Sequence, residues 1–473
     1  MKLEIREDSK NYACTVVKLP PKQKVDGLDN LVKVTVFGND VLTKKDADEN
    51  QLYLFFPAEC RIAASYLCAN NEFRHSNLNY DQTAKPGFFE DTGRVKAIKF
   101  KGVISTGYIA PIDTLYPLMG NWGGQLKEGD EFTDIDGVNI CKKYKIVHQH
   151  ATTAKESRFN KKLKRFDKLV PNQFRFHVDT NQLAKNLHLF KPEDIICITD
   201  KWHGTSAVFA NVLVNKQLTV WEKIGKLLGF NIVDKVYDTL YSSRSVIKNQ
   251  YVNKEATAGY YNEDIWKVVL NEIKDKIEQG ITIYGEIVGY LPSGKAIQKA
   301  YDYGCNTGMV GSVRNDDLRP VETDAAQHKF LVYRITYTKP DGNTIEFSWN
   351  QIKGYCEKYQ LETVKELYYG KLNRWANEGT AGEIFNQTFI KGVDQWGNEL
   401  LSLLSSSYLE KDCPYCTNKV PAEGIVVRID GKDTFSAFKL KSKRFLEKES
   451  KQLDEDSKTG EVNIEDQVVE DNA

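Results

Sequence analysis

The stretch ITDKWHGTSAVF, residues 198–209, is the most informative part of this sequence for fold and chemistry. The apolar strand candidate IICIT (195–199) leads through Lys201 to a glycine, Gly204, and a second apolar run follows. A lysine beside a glycine turn at the end of a strand is well placed to act as a nucleophile. Alone, the same pattern also fits a surface lysine in a turn, so its interpretation depends on the rest of the chain.

Further short motifs follow in order, each with a charged or aromatic residue in or beside an apolar strand. They are SSRSV with Arg244, YGEIVG with Glu286, HKFLVYRI with Phe330 and Tyr333, PAEGIVVRID with Glu423, and FKLKSKRF with Lys439 and Lys441. Because side chains alternate across a strand, Lys439 and Lys441 point to the same face. Two lysines on one face of an apolar strand destabilise it unless they meet an anion, for which a triphosphate is a good candidate.

The series resembles motifs I, Ia, III, IIIa, IV and V of the covalent nucleotidyltransferase superfamily, which comprises DNA ligases, RNA ligases and mRNA-capping enzymes. GRVKAIKFKGVISTG (93–107) and FRFHVDT (174–180) look like RNA ligases of the Deinococcus and Naegleria type, in which an OB domain precedes the catalytic domain. The short remainder after Lys441 leaves no room for the C-terminal OB domain of DNA ligases and capping enzymes. We therefore expect an ATP-dependent RNA ligase. The alternatives are a DNA ligase, a GTP-dependent capping enzyme, or a nucleic-acid-binding protein with an inactive ligase-like domain.

The resemblance implies three phosphoryl transfers. Lys201 attacks the α-phosphate of ATP and forms lysyl–AMP, the AMP moves to an RNA 5′-phosphate, and an RNA 3′-OH then displaces it and closes the strand. Lysine must be neutral to attack, although its free pKa is about 10.4. Lys439, Lys441 and a divalent metal, Mg²⁺ or Mn²⁺, are expected to disfavour the ammonium form and to neutralise the phosphate oxygens.

The resemblance also assigns the nucleotide site. Its expected members are Lys201, Gly204, Arg244, Glu286, Tyr333, Glu423, Lys439 and Lys441. Among them Lys201, Lys439 and Lys441 are expected to be catalytic. Glu286 is expected to bind a ribose hydroxyl and Tyr333 to stack on adenine. Glu423, together with Glu286, is expected to hold the metal through water.

Two positions depart from the family pattern. His203 stands where many members have aspartate two residues after the nucleophile, and Arg334 stands where an aspartate is common at the end of motif IIIa. The turn CPYC (413–416) has the spacing of half a zinc site, which Cys305 or Cys356 could complete, but an insertion loop is the simpler interpretation.

The pattern of strands and helices predicts an α+β protein. Alternation in LVKVTVFG (31–38) and strand-like QLYLFF (51–56) and RVKAIKFKGVI (94–104) favour an N-terminal β-barrel of the OB-fold type, although an SH3-like barrel or a sandwich fits nearly as well. Helices are expected over 261–280 and about 350–372. The predicted organisation is an OB-fold nucleic-acid-binding domain (1–154), a basic linker (155–170), a catalytic domain (171–449) and an acidic disordered tail (450–473).

Charge and composition narrow the partners. The 65 basic and 65 acidic residues balance, but residues 452–473 hold eight acidic residues and one basic residue, which leaves a basic body. The run KESRFNKKLKRFDK (155–168) is either a solvated linker or a phosphate-contacting joint. The expected partner is RNA with 3′-OH and 5′-phosphate ends, with nicked duplex one candidate. Scattered cysteines, a charged N-terminus and the lack of a long apolar run predict a cytoplasmic monomer without a membrane partner.

Overall fold

A computed structural model describes residues 1–120, 125–145, 168–244, 247, 264–304, 309–310, 319–320, 328–377 and 393–459. The N-terminal region is mostly β-structure. Its strands are β1 (Leu3–Glu4), β2 (Cys14–Lys18), β3 (Leu31–Val36), β4 (Asn39–Lys44), β5 (Leu52–Pro57), β6 (Cys60–Ile62), β7 (Ile98–Phe100), β8 (Val103–Ser105), β9 (Gly107–Pro111), β10 (Glu131–Phe132), β11 (Asp134–Ile135), β12 (Val138–Asn139) and β13 (Cys141–Lys143). Its helices are α1 (Ala64–Ala69) and α2 (Tyr116–Met119), with 3₁₀ turns at Glu7–Tyr12, Ser76–Leu78 and Ile112–Leu115.

The N-terminal strands pair into small sheets. A four-stranded sheet has the order β10-β2-β5-β9, and the other pairings are β1-β11-β12, β13-β6, β3-β4 and β7-β8. Strand β3 alternates buried and partly buried residues, as its sequence predicts. Within the described part of the chain these pairings do not join into one closed barrel, so the OB-fold stays a prediction.

The C-terminal region carries the larger sheets. Its strands are β14 (Asn181–Gln182), β15 (Ile195–Lys201), β16 (Thr205–Asn215), β17 (Lys235–Ser242), β18 (Ile281–Gly289), β19 (Met309–Val310), β20 (Arg319–Pro320), β21 (His328–Thr338), β22 (Thr344–Glu346), β23 (Glu362–Thr363), β24 (Glu366–Lys371), β25 (Gly424–Ile429) and β26 (Ala437–Lys441). Its helices are α3 (Val220–Leu227), α4 (Ile265–Ile273), α5 (Trp349–Tyr359), α6 (Leu372–Asn377), α7 (Val393–Tyr408) and α8 (Lys443–Thr459), with 3₁₀ turns at Leu183–Lys185, Leu187–Leu189 and Lys274–Lys276. The mixed α+β character is confirmed.

Two sheets form the frame of this region. One has the order β14-β26-β25-β15-β24, and the other has the order β17-β16-β18-β21-β22, with β23 pairing to β21. All nine residues of β18 are buried, which explains its nearly continuous apolar sequence. The cluster around β16, β18 and β21 includes the apolar face of α4, with Ile265, Val269 and Ile273. These contacts make the second sheet the centre of the core.

The helices end earlier than their sequence patterns predict. Helix α4 begins at an Asp264 cap and ends at Ile273, followed by one 3₁₀ turn to Lys276. Helix α5 begins at a Ser348 capping box and ends because Gln360 adopts a left-handed conformation, with φ of 52°. The predicted helix over 350–372 is therefore wrong beyond Tyr359, since β23 and β24 occupy the rest.

Helix α8 joins the two regions. It continues to Thr459, so the prediction of a disordered tail from residue 450 is wrong for 450–459, while 460–473 lie outside the described residues. Arg94 of the N-terminal region donates to Asp454 at 3.0 Å and to the Ser450 carbonyl at 3.2 Å. Ser450 Oγ in turn donates to Glu59 at 2.6 Å. These buried polar contacts, which long-range folding creates, explain why an acidic segment is helical.

Most of the predicted basic linker, residues 155–167, lies outside the described residues. Lys168, at its end, pairs with Asp238 of β17. Among the described helices, none combines the length and apolar character needed to cross a membrane.

Candidate active site

The expected nucleophile lies at the end of β15 opposite a carboxylate. Strands β15 and β25 are antiparallel, and their register places Lys201 opposite Gly424. Glu423, immediately before β25, therefore meets Lys201, with 2.6 Å between Lys201 Nζ and Glu423 Oε1. The Glu423 side chain is only 4% exposed and that of Lys201 is 25% exposed. A buried carboxylate thus pairs with the lysine across two neighbouring strands.

Two glycines allow the backbone to come this close. A Cβ at Gly424 would meet the Leu440 carbonyl oxygen at 2.2 Å, and one at Gly204 would meet the Ile287 carbonyl oxygen at 2.3 Å. Any larger residue would force the strands apart. The glycines after Lys201 and Glu423 are therefore requirements of strand packing around the site.

Glu286 fixes the turn that follows the nucleophile. Its Oε1 accepts a hydrogen bond from the Gly204 N–H at 3.1 Å, and Gln298 Nε2 donates to the Gly204 carbonyl at 2.6 Å. His203 N–H donates to the Tyr303 hydroxyl at 2.8 Å. Sequence reasoning missed Gln298 and Tyr303, because neither lies in a recognisable motif. Their roles become visible only when the chain segment after β18 packs on this turn.

Lys439 and Lys441 of β26 reach the same cavity as Lys201. Lys441 Nζ lies 2.9 Å from Glu449 of α8 and 3.9 Å from Glu423. Burial would lower the pKa of Lys441, but Glu449 and Glu423 raise it overall. Burial lowers the pKa of Lys439 to about 7, with Lys441 and Lys201 acting in the same direction. The pKa values of the two lysines are thus shifted in opposite directions, that of Lys441 upward and that of Lys439 downward.

Tyr333 is held at the cavity by two hydrogen bonds. Its hydroxyl lies 2.8 Å from His177 Nδ1 and 3.1 Å from Ser206 Oγ. Burial, followed by Arg244, lowers the pKa of His177 to about 3, so its ring is neutral. The motif FRFHVDT contains this histidine, and its polar residues between apolar ones were the signal that could have marked it as a site residue.

Arg244 pairs with Asp179, another polar residue of FRFHVDT. Burial would raise the pKa of the Asp179 carboxyl, but Arg244 and then Lys439 lower it overall. Arg244 therefore enters the cavity through a fixed ion pair, and Asp179 also faces Lys439.

The structure brings the expected residues into one cavity. Those that line it are Lys201, Arg244, Glu286, Tyr333, Glu423, Lys439 and Lys441, and Gly204 lies beside Glu286. The N-terminal region contributes Tyr12, Lys143 and Tyr144, and α8 contributes Glu449. Sequence reasoning assigned none of these four to the nucleotide site, because only the packing of the N-terminal region and α8 places them there.

The two departures from the family pattern have different surroundings. His203 packs edge-on against Tyr301 and Phe445 at 4.8 and 5.0 Å between ring centroids, and its Nδ1 lies 3.6 Å from Glu423 Oε2. Arg334 is buried and pairs with Glu346 of β22 at 2.8 Å. Arg334 thus joins two strands of the second sheet.

The carboxylates have donor chemistry that suits a hydrated cation. Glu423 Oε2 is buried without a hydrogen-bond partner among the described residues. Burial would raise the pKa of Glu423, but Lys201, His203 and Lys441 lower it overall, so it is ionised. Among the described residues there is no cluster of three or more metal-ligating side chains. This donor set fits a cation such as Mg²⁺, which keeps several waters and binds one or two carboxylates together with phosphate oxygens.

The chain belongs to the RNA ligase family, whose model matches residues 194–443. Among solved structures, the Naegleria gruberi RNA ligase with PPi is similar at 12% identity and a TM-score of 0.51, over 94% of this chain and 100% of that chain. A mutant of that ligase with ATP and Mn is similar at 14% identity and a TM-score of 0.50, over 92% and 98%. At such identities the likeness shows the fold alone. No curated protein matches this chain.

Membership of the RNA ligase family is therefore confirmed. The Deinococcus type and the individual roles of the site residues stay predictions. The zinc site at CPYC is not tested, because Cys305 lies outside the described residues, whereas Cys356 is buried in α5 within the main core.

Proposed function

We propose that this protein is an ATP-dependent RNA ligase that joins RNA 3′-OH and 5′-phosphate ends through lysyl–AMP at Lys201. The observation that carries the proposal is the pairing of Lys201 with the buried Glu423 in a cavity also lined by Lys439 and Lys441. Family membership favours RNA over DNA ligation and over GTP-dependent capping. The relatives of the same fold that contain ATP with Mn, or PPi, support ATP as the AMP donor.

In the first step Lys201 Nζ attacks the α-phosphorus of ATP and pyrophosphate leaves. The amine must first lose its proton, and the Glu423 carboxylate, 2.6 Å away, favours the ammonium form until another cation competes for it. Lys439 and Lys441 would face the phosphate oxygens, where their charges stabilise the transition state. Binding a polyanion would also favour the charged form of Lys439. Tyr333 would stack on adenine, and Glu286 would bind a ribose hydroxyl while holding Gly204.

A divalent cation, Mg²⁺ or Mn²⁺, would be held by Glu423 and, through water, by Glu286, and would neutralise phosphate charge when bound. Its site includes Glu423 Oε2, which has no hydrogen-bond partner among the described residues and lies 3.6 Å from His203 Nδ1. Lys201 needs a neutral amine to attack. A bound cation that competes for Glu423 would weaken the Lys201–Glu423 ion pair and so favour that neutral form.

The second and third steps need RNA at the same cavity. Lys143 and Tyr144 of the N-terminal region line it, so they are placed to meet a phosphate and a base or ribose. The basic run 155–168 offers further phosphate contacts. We infer that the N-terminal region positions the RNA ends and that nick sealing is the reaction it serves.

Incubation with radiolabelled ATP or GTP, followed by denaturing electrophoresis, tests the proposal. We expect a labelled protein band with ATP and none with Lys201→Arg, because arginine keeps the charge but cannot lose its proton. Lys432→Arg, at an exposed position, is the matched control. A band with GTP alone would indicate a capping enzyme, and no band would indicate an inactive ligase-like domain. Sealing of nicked RNA and DNA duplexes by the labelled protein then separates RNA from DNA ligation.

A further inference from the structure

The turn CPYC, residues 413–416, is fixed against the chain segment around Tyr301 and Asp302, which follows β18. It lies at the end of a hairpin in which Cys413 N–H donates to the Val420 carbonyl at 2.7 Å. The Thr417 N–H donates to the Asp302 carbonyl at 2.7 Å, and the Tyr301 hydroxyl donates to the Pro421 carbonyl at 2.9 Å. The turn is therefore an ordered part of the core surface.

Tyr415, between the two cysteines, contacts both neighbours of Lys201. Its ring stacks on Trp202 with 4.3 Å between centroids and 18° between planes. Its hydroxyl donates a hydrogen bond to Asp200. The Trp202 ring also packs against Tyr303, with 5.0 Å between ring centroids. The buried Trp202 Nε1 has no hydrogen-bond partner among the described residues. Ring packing, in which Tyr415 has the closest contact, thus positions the residue after the nucleophile.

The two cysteines lie three residues apart in one turn, and they are less buried than the cysteines of the cores. The Cys416 thiol hydrogen-bonds to Cys413 and lowers its pKa to about 7, and the N–H groups of Tyr415 and Cys416 act in the same direction. Both side chains are only partly buried. By contrast, burial raises the pKa of Cys197 to well above its usual value and that of Cys356 to about 12. A cysteine pair of this spacing with one acidic thiol has the properties of a thiol–disulfide exchange site.

We propose that Cys413 and Cys416 form a reversible disulfide that controls the position of Lys201 through Tyr415 and Trp202. The oxidant is a low-molecular-weight disulfide, such as that of glutathione. The Cys413 thiolate attacks one sulfur of the disulfide, the S–S bond breaks, and the first thiolate leaves and is protonated. Cys416, losing its proton, then attacks Cys413 sulfur and expels the second thiol. Two protein thiols are oxidised by two electrons, and one small disulfide is reduced to two thiols.

The structural consequence follows from bond geometry. A disulfide requires about 2.05 Å between sulfurs and a dihedral near 90°, whereas two hydrogen-bonded thiols lie much farther apart. We expect closing that gap to shift the turn that holds Tyr415, and with it the stack of this ring on Trp202 or its hydrogen bond to Asp200. Because misplacement of a reacting group by about 1 Å can slow a reaction about 100-fold, the expected effect is slower attack by Lys201. This last part rests on the proposed function.

The first experiment measures the thiol chemistry without using ligase activity. The full chain is equilibrated in glutathione buffers of different oxidised-to-reduced ratios and then alkylated and digested. Mass spectrometry measures the mass of the peptide that contains residues 413–416. We expect an intramolecular disulfide, two hydrogens lighter than the dithiol, that forms and reverses with the ratio. Cys416→Ser should instead stop at a mixed disulfide of glutathione with Cys413. Full alkylation under all ratios, or a zinc ion retained by the purified protein and lost in Cys416→Ser, would overturn the proposal.

The second experiment tests the coupling to the site. Oxidation should change tryptophan fluorescence in the wild type but not in Trp202→Phe, and it should slow lysyl–AMP formation by about tenfold or more, reversibly with reductant. The Cys413→Ser/Cys416→Ser variant should form lysyl–AMP at the rate of the wild-type dithiol form, under both oxidising and reducing conditions. A disulfide that leaves both fluorescence and rate unchanged would refute the coupling. If neither redox state forms lysyl–AMP, the proposed function fails, while the mass and fluorescence results still decide the thiol proposal.

Discussion

Lys201 Nζ lies 2.6 Å from Glu423 Oε1, so the expected nucleophile is paired with a buried carboxylate before any nucleotide binds. An amine in such an ion pair is held as an ammonium group and cannot attack phosphorus. Another positive charge must therefore draw the carboxylate away before the first chemical step. This requirement makes Glu423 the residue whose substitution is most informative.

Glu423→Gln should slow lysyl–AMP formation by about 100-fold at neutral pH, comparable to the loss of one preorganised electrostatic group. It should also move the acidic limb of the pH–rate profile to lower pH, because the amide no longer stabilises the ammonium form of Lys201. Single-turnover rates from about pH 6 to 9 measure both effects. Glu193→Gln, at an exposed position, is the control. A slower rate with an unshifted profile would show that Glu423 acts on the metal alone.

Lys439 should make the stability of the protein depend on pH. Its pKa is about 7 in the folded protein, mainly because of burial, and about 10.4 for an unfolded lysine. Between these values the unfolded state binds more protons, so the free energy of unfolding rises with pH, and the penalty is fully present below about pH 7. Lys439→Met should therefore stabilise the protein most near pH 6 and least near pH 10.

Chemical denaturation at several pH values measures this difference. Lys432→Met, which alters an exposed lysine, should show no such trend. A gap between wild type and Lys439→Met that does not narrow on raising the pH would contradict the assignment of Lys439 as a buried lysine close to neutrality.

Tyr333 offers a test of the stacking role. Tyr333→Ala should raise KM for ATP by about tenfold or more, since stacking of a base on an aromatic side chain contributes about 1–3 kcal/mol. Tyr333→Phe keeps the ring but loses the contacts with His177 and Ser206, and we expect a much smaller effect. Single-turnover adenylation at several ATP concentrations, with pyrophosphate removed, gives the maximal rate and the apparent KM for ATP. Equal losses in the two variants would assign the effect to the hydroxyl.

Ser450 tests the contact between α8 and the N-terminal region. Ser450→Ala removes hydrogen bonds with Glu59 and with the Ala97 N–H, and should lower the free energy of unfolding by about 1–3 kcal/mol. The matched change Ser457→Ala, on the exposed side of the same helix, should alter stability little. Denaturant titration measures the free energy of unfolding of both variants. Similar losses in Ser450→Ala and Ser457→Ala would mean that the change in helix propensity, and not the contact with the N-terminal region, causes the effect.

The strands that carry the site were predictable because their signals are local. IICIT, ITIYGEIVGY and GIVVRID are apolar runs of strand length, and the structure has β15, β18 and β25 there. What joins them is not local: the 2.6 Å contact of Lys201 with Glu423 depends on the antiparallel register of β15 and β25. No periodicity in either segment encodes that register.

The errors have similar causes. The helix expected over 350–372 ends at Tyr359 because Gln360 turns left-handed, and glutamine carries no local signal for that conformation. Residues 450–459 are helical because Asp454 and Ser450 meet Arg94 and Glu59, which are distant in sequence. An acidic composition predicts disorder only where such partners are absent.

The bond between Arg94 and the Ser450 carbonyl spans 356 residues, and this separation has a consequence for biosynthesis. At about 5–20 residues per second, the ribosome releases the N-terminal strands tens of seconds before it releases the helix that covers them. During that interval the nascent chain carries the Arg94–Glu59 pair without its cover. Because Glu449 of the same helix lines the nucleotide cavity, that cavity is completed only when the late helix docks. The strands beside Glu423 and under Lys439 and Lys441 directly precede this helix, so the N-terminal side of the cavity, with Lys143 and Tyr144, waits longest for its completion.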